Sequence, residues 1–191
     1  GAVTGFLHTV FEIPAILSGI LTQIALWSIN LRIMGKSNIP LLKSKTIFSG
    51  FMELTGLKSS QVSAIIGILI AIILISALYW FFGTEIGSAL RATGNNEDMI
   101  RALGVNTKMT KMIALMLSNG LVGLSGGLVC QSQKYADIGM GTGAIVIGLA
   151  AVIIGEVLFG KFASKRKLAF AFTLASVILG AVIYYMVYQF V

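Results

Sequence analysis

TEIGSALRATGNNEDMIRALGVNTKMTK, residues Thr84–Lys111, is the longest polar interval between strongly apolar runs that also carries regular internal structure. It reads as two short helices joined by a Gly-Asn corner. Thr84 is placed to cap the first helix, its hydroxyl accepting an orphan backbone N–H of the first turn. Gly94 stands where that helix is expected to stop, because glycine takes the left-handed conformation just past a helix end without steric cost. Asn95 is the expected cap of the second helix, with Asp98 three places on in capping-box spacing. Gly104 then ends it.

Both helices are amphipathic. Ile86, Ala89 and Leu90 form one apolar stripe, and Met99, Ile100 and Leu103 form another, at helical spacing. Arg91, Glu97, Asp98 and Arg101 take the other faces. A helix pair this short cannot bury its stripes alone. It must lie on a membrane, on its own bundle or in a groove of another protein. The competing reading is a solvated loop with fraying helices.

The surroundings favour a membrane. Of the 191 residues, 57% are hydrophobic and only 11% are charged, far from the quarter-charged average of soluble domains. Apolar runs approach the roughly 20 residues that span a bilayer. All 14 Lys and Arg fall outside the apolar centres, so the net charge of +7 suits loops that flank a membrane and gives no support to nucleic-acid binding. The single cysteine, Cys130, excludes an internal disulfide and reads as a small packing residue.

In order, the expected spans are a partial one at 1–11 and complete ones at 13–31, 62–82, 112–130, 142–159 and 168–188, in one transmembrane domain. Glu12 and Pro14 sit at the edge of the second run, and His8 reads as a packed or interfacial side chain because no acid stands at i±3 or i±4. The loop Arg32–Gln61 is long enough for a short interfacial helix at Ile47–Leu54 closed by Gly56. Run 62–82 is apolar all round and ends in an aromatic belt at Tyr79 and Trp80. Run 112–130 has a different texture. Ser118, Gly120, Gly123, Ser125, Gly126 and Gly127 give it a small-residue face that lets helix backbones approach, and Asn119 is placed to hydrogen-bond across helices. Gly139, Gly141 and Gly143 open the short run 142–159. That pattern suits a broken or re-entrant helix, which a membrane tolerates only where backbone faces protein or a watery cavity, and transport sites are often built there. Glu156 in that run is either an intramembrane functional carboxylate or an edge residue paired with Lys161 or Lys165. The residues placed toward a translocation pathway are therefore Asn119, Gly127, Gly141, Gly143 and Glu156.

Enzymatic motifs fail on inspection. Gly155–Lys161 comes within one residue of a phosphate-binding loop, but Phe162 stands where Ser or Thr must hold magnesium. Gly139–Ala144 fits a dinucleotide fingerprint by letter and lacks the strand that must precede it. No cluster of His, Cys and acids has metal-ligand spacing, and one His and one Cys far apart give thin grounds for nucleophilic catalysis.

Gly87-Ser-Ala-Leu-Arg-Ala-Thr-Gly-Asn followed by Gly104-Val-Asn resembles the cytoplasmic coupling segment of ABC importer permeases, in the superfamily that carries branched-chain amino acids and ribose-type sugars. The nearest resemblance is to a branch sometimes linked to aromatic amino acids. It runs over nearly the whole chain and includes NLRIMGKSNIPLL (Asn30–Leu42) and AVIIGEVLFG (Ala151–Gly160). The resemblance implies an all-α, polytopic transmembrane helix bundle in a bacterial cytoplasmic membrane, with a cytoplasmic coupling helix pair. It implies that Leu90, Arg91, Ala92, Gly94, Asn95, Asn96, Met99, Ile100, Leu103 and Gly104 face separate ATPase subunits, which would bind the ATP and magnesium. This chain would bind no cofactor, and the missing phosphate-binding loop agrees. An extracytoplasmic solute-binding protein and a second permease copy are further implied partners, beside membrane lipid. Relatives are longer at both ends, so the chain reads as an internal portion of a larger permease.

The charge pattern agrees weakly with that orientation. Four basic residues in Thr84–Lys111 and four in Lys161–Lys167 would face the cytoplasm, against five in Arg32–Gln61 and Lys134 outside. The alternatives are a stand-alone secondary transporter or channel, which predicts buried charge along a pathway, and a non-transporting membrane scaffold.

Overall fold

The computed structural model describes residues 1–41, 46–56, 59–163 and 169–190. These form helices α1 (Ala2–Thr9), α2 (Ala15–Met34), α3 (Ile47–Thr55), α4 (Ser59–Phe82), α5 (Glu85–Asn95), α6 (Glu97–Ala102), α7 (Thr107–Gln133), α8 (Ala144–Ala163) and α9 (Ala169–Phe190), with two short strands, β1 (Asn38–Pro40) and β2 (Tyr135–Asp137). The fold is an all-α polytopic bundle. By length and composition α2, α4, α7 and the Phe172–Phe190 part of α9 can each cross a membrane, and α8 has a shorter apolar stretch, Ala144–Leu158. α4 has no polar face, which is what a helix surrounded by apolar neighbours requires. The irregular backbone expected inside 142–159 lies before that helix, in the turns at 138–143, where Gly143 has φ +81. From Ala144 onward α8 is continuous.

The chain divides into two compact units, residues 1–66 with 81–140, and residues 67–80 with 141–191. In the first, α1 packs on α7 through glycine. A Cβ on Gly5 would stand 3.1 Å from Met112 Cγ, and one on Gly1 would stand 2.8 Å from Met116 Cα. The Thr4 hydroxyl donates to Thr22 at 3.1 Å and joins α1 to α2. His8 is packed, as its sequence surroundings suggest. Its Nδ1 lies 2.8 Å from the Ile13 carbonyl in the connection between those helices.

A small antiparallel ribbon is the feature of this unit that sequence reasoning missed. β1 pairs with β2 in the register Asn38↔Asp137, Ile39↔Ala136 and Pro40↔Tyr135. The Leu41 N–H extends it to the Lys134 carbonyl at 2.8 Å, and the Ile138 N–H to the Ser37 carbonyl at 3.0 Å. Gly35 (φ 65) and Lys134 (φ 61) end α2 and α7 in the left-handed conformation and turn the chain into the strands. Gln131 Oε1 accepts from the Ile47 N–H at 3.1 Å, and Ser63 and Ser132 hydroxyls lie 3.2 Å apart. The ribbon thus joins the segment after α2 to the link after α7. A short helix is present where one was expected, as α3. Thr46 and Ser49 form a reciprocal capping box at its start, and Gly56 (φ 64) ends it.

In the second unit, α8 and α9 pack at close range. A Cβ on Gly155 would overlap the Ser176 carbonyl oxygen, and one on Gly180 would overlap the Ala151 carbonyl oxygen. Ala151 and Gly155 on α8, and Ser176 and Gly180 on α9, are each four residues apart, and all four are buried. Small residues at that spacing let two backbones meet.

Candidate functional site

The site is built on the corner between α5 and α6. Thr84 is the cap that its position suggests. Its Oγ1 accepts from the Gly87 N–H at 3.3 Å and donates to the Phe81 carbonyl at 2.6 Å. One hydroxyl thus ties the end of α4 to the start of α5. Gly87 is buried against that same end, where a Cβ would overlap the Phe81 carbonyl oxygen. Any larger residue would force α5 away from α4.

The corner itself lies one residue later than the sequence suggests. α5 runs through Gly94 and Asn95, and Gly94 is not left-handed. Asn96 ends α5 and caps α6, its Oδ1 accepting from the Met99 N–H at 3.0 Å. The capping box expected between Asn95 and Asp98 is therefore replaced by a simple Asn cap. Gly104 (φ 85) closes the segment as expected. Asn106 then caps α7 through the Met109 N–H at 3.2 Å, so the last five residues of the interval, Thr107–Lys111, already belong to α7.

Burial splits the second stripe. Ile100 is 8% exposed, whereas Met99 and Leu103 are 59% and 68% exposed. Ile100 is thus covered by its own chain, which corrects its assignment to a surface facing another protein. Met99 and Leu103, four apart, keep an outward apolar edge. On α5, Leu90 and Ala92 are half-buried, while Ile86, Arg91, Gly94, Asn95 and Asn96 are exposed.

The polar side of the corner is a network that joins three helices. Both Glu97 oxygens are engaged. Oε2 accepts from Lys111 Nζ at 2.6 Å, and Oε1 accepts from Arg101 at 3.3 Å. Arg101 also donates to Thr107 Oγ1 at 3.4 Å. The hydrogen bond from Lys111 holds the Glu97 carboxyl below its ordinary value of 4.5. It outweighs the opposing effect of desolvation, and Thr107 and the charges of Lys111 and Arg101 act in its favour. Thr93, buried on α5, lies 3.3 Å from the buried Thr110 hydroxyl of α7. Sequence reasoning missed Thr93, Thr110 and Lys111. The Glu97–Arg101 pair, four apart, was readable, but nothing local marks a bond between residues fourteen positions apart.

The residues placed toward a pathway fall in both units, and each is described within its own. Asn119 and Gly127 belong to the first unit, and Gly141, Gly143 and Glu156 to the second. The Asn119 amide donates to the Leu115 carbonyl of its own helix at 2.8 Å, not across helices. Gly127 and Gly141 are exposed with no atom near a built Cβ, and only Gly143 has a backbone that favours glycine. Glu156 is exposed, and of the partners offered for it Lys165 lies outside the described residues, while Lys161 belongs to α8.

The chain matches, over residues 1–191, the family described as the permease component of branched-chain amino acid transport systems. It is 46% identical over 162 residues to a tyrosine transport system permease protein of Clostridioides difficile, covering 85% of this chain and 52% of that one. It is 34% identical over 161 residues to an uncharacterized protein of Rickettsia prowazekii, covering 83% and 54%. A nucleoside ABC transporter permease protein of Lactococcus lactis is 29% identical over 143 residues, covering 69% and 43%. No solved structure shows a significant match. The chain thus spans about half the length of these first two relatives. With a family match along its full length and, among the described residues, four helices fit to cross a membrane, this chain belongs to the branched-chain amino acid transport permease family and is a multi-pass membrane protein.

Proposed function

We propose that this chain is part of the transmembrane subunit of an ATP-driven ABC importer for a small solute of the amino acid class, and that its α5–α6 corner docks a separate ATPase subunit. The observation that carries the docking role is the divided stripe of α6. Ile100 anchors the helix to its own bundle, and Met99 and Leu103 stay open beside it. Burying each of those side chains in a partner's cleft would contribute roughly 1.5–3 kcal/mol. ATP and magnesium belong to that partner. Nucleotide-driven closure of paired ATPase subunits would push the corner and switch the bundle between outward- and inward-open states.

The ribbon lies at the other ends of α2 and α7, on the face that a solute-binding protein would visit. A second permease copy completes the pathway in this reading. Tyrosine is the first solute to test, because the Clostridioides difficile relative carries that name. A stand-alone ion-coupled carrier is less well supported. Glu156 is the one acid within the expected spans, whereas ion coupling in a membrane rests on intramembrane charge.

The test is co-purification of the full-length permease with the ATPase of the same host, together with ATP-dependent tyrosine uptake into proteoliposomes. Met99→Asp with Leu103→Asp is expected to abolish capture of the ATPase while insertion persists. Undiminished capture by that variant contradicts the docking role.

A further inference from the structure

The docking reading leaves open how a push on α6 reaches a membrane-spanning helix. α6 has six residues, too few to hold its shape alone. Beneath it, Ile100 provides burial, which is not directional and lets one surface slide over another. The Glu97–Lys111 bond is different. It is a short charge-assisted hydrogen bond, 2.6 Å long, between the first residue of α6 and the second turn of α7. Each side chain is about two-thirds shielded from water, with 33% and 35% of its surface exposed. Arg101 occupies the other carboxylate oxygen and reaches Thr107, so the α6 side of the tie is braced. Thr93 and Thr110 repeat the connection between α5 and α7 one residue before Lys111.

We propose that Glu97 is a positioning residue for energy coupling: by gripping Lys111 it makes the α6 corner and the start of α7 move as one body, so that α7 receives the displacement delivered to α6. This rests on the docking reading above. It assigns Glu97 to transmission and leaves docking to Met99 and Leu103.

The test uses the full-length permease with its ATPase in proteoliposomes, in a Cys130→Ser background. One nitroxide label is placed on α6 by Asp98→Cys and, separately, another on α7 by Val122→Cys. Glu97→Gln keeps the shape of the side chain and removes its charge. It is expected to retain ATPase capture and ATP hydrolysis, to loosen the α6 label, and to shrink the response of the α7 label to MgATP by about fivefold or more. Lys111→Met breaks the same tie from α7 and is expected to give the same two changes, and combining it with Glu97→Gln is expected to add nothing further, which unrelated structural changes at the two positions would not do. A tight α6 label and a full α7 response in Glu97→Gln overturn the proposal, as do additive losses in the combined Glu97→Gln and Lys111→Met variant. Loss of ATPase capture in Glu97→Gln alone overturns it too, by placing Glu97 in the docked face, and leaves the docking reading intact. Absence of any captured ATPase with the unaltered permease defeats the docking reading instead. Transmission to α7 then falls with it, and the α6 label reports whether the tie itself exists.

Discussion

Among the described residues, one small-residue surface, on α8 and α9, is covered, and another, on α7, is open. On α8 and α9, Ala151 and Gly155 meet Ser176 and Gly180 so closely that a single Cβ would overlap backbone. On α7, Gly120, Gly123, Gly126 and Gly127 are exposed, and a Cβ at any of them would meet nothing within 4 Å. The α7 face is the one whose spacing stands out in the sequence. Small residues permit close approach of backbones. They do not say whether a second helix is there. The same division runs through α6, where Ile100 is covered and Met99 and Leu103 are open.

Substitution converts that division into measurements. The largest effect is expected at the covered glycines. Gly155→Val and Gly180→Val force α8 from α9 and should each lower stability in detergent by about 1–3 kcal/mol or more, as overpacking does. A Gly155→Val protein of unchanged thermal stability would mean that the two helices do not meet there. Ile100→Asp comes next. It should cost the corner about 1–2 kcal/mol, limited by how readily a six-residue helix opens locally to hydrate the new charge. Protease sensitivity between α5 and α7 should rise, so the variant acts through local folding rather than through a lost partner. An intact, protease-resistant corner would return Ile100 to the exposed face.

The ion pair predicts a smaller effect with a defined sign. The Glu97 carboxyl is held below 4.5 in the folded corner, mainly by Lys111. Its contribution is therefore complete above the ordinary carboxylate range and is lost as pH falls through the lowered value. A label at position 98 should loosen on acidification into that range, and Glu97→Gln should remove this step. A step that persists in Glu97→Gln would assign it to another group. The smallest effect belongs to the open face. Gly123→Val should change stability by no more than about 0.5 kcal/mol, as surface substitutions do. A large loss would show that α7 is covered after all.

What the sequence discloses follows from the range of each signal. The long apolar runs reappear as helices, because hydrophobicity and length are local properties. Thr84, Gly56 and Gly104 could be read because a cap or a left-handed glycine acts within one turn. Asn95 and Asn96 could not be told apart. Both are good caps, and Asp98 stands at the right spacing from the wrong one. A shift of one residue turns a helix by about 100°, which decides which apolar side chain lies underneath. Ile100 was grouped with Met99 and Leu103 by spacing alone, which does not say which side of the helix the rest of the chain covers. The ribbon was hidden for a different reason. Each strand has three residues, one contains a proline, and their partners are about a hundred positions apart. The Lys111 partner of Glu97 was hidden by distance along the chain alone.

The central claim is that the open edge of α6 meets an ATPase subunit while Ile100 faces inward. Photo-crosslinking in the assembled full-length transporter tests it most directly, with a photoreactive side chain placed in turn at Met99, Ile100 and Leu103. The account predicts adducts to the ATPase from Met99 and Leu103, and adducts within the permease from Ile100. Capture of the ATPase from Ile100, or its absence from both Met99 and Leu103, would contradict it.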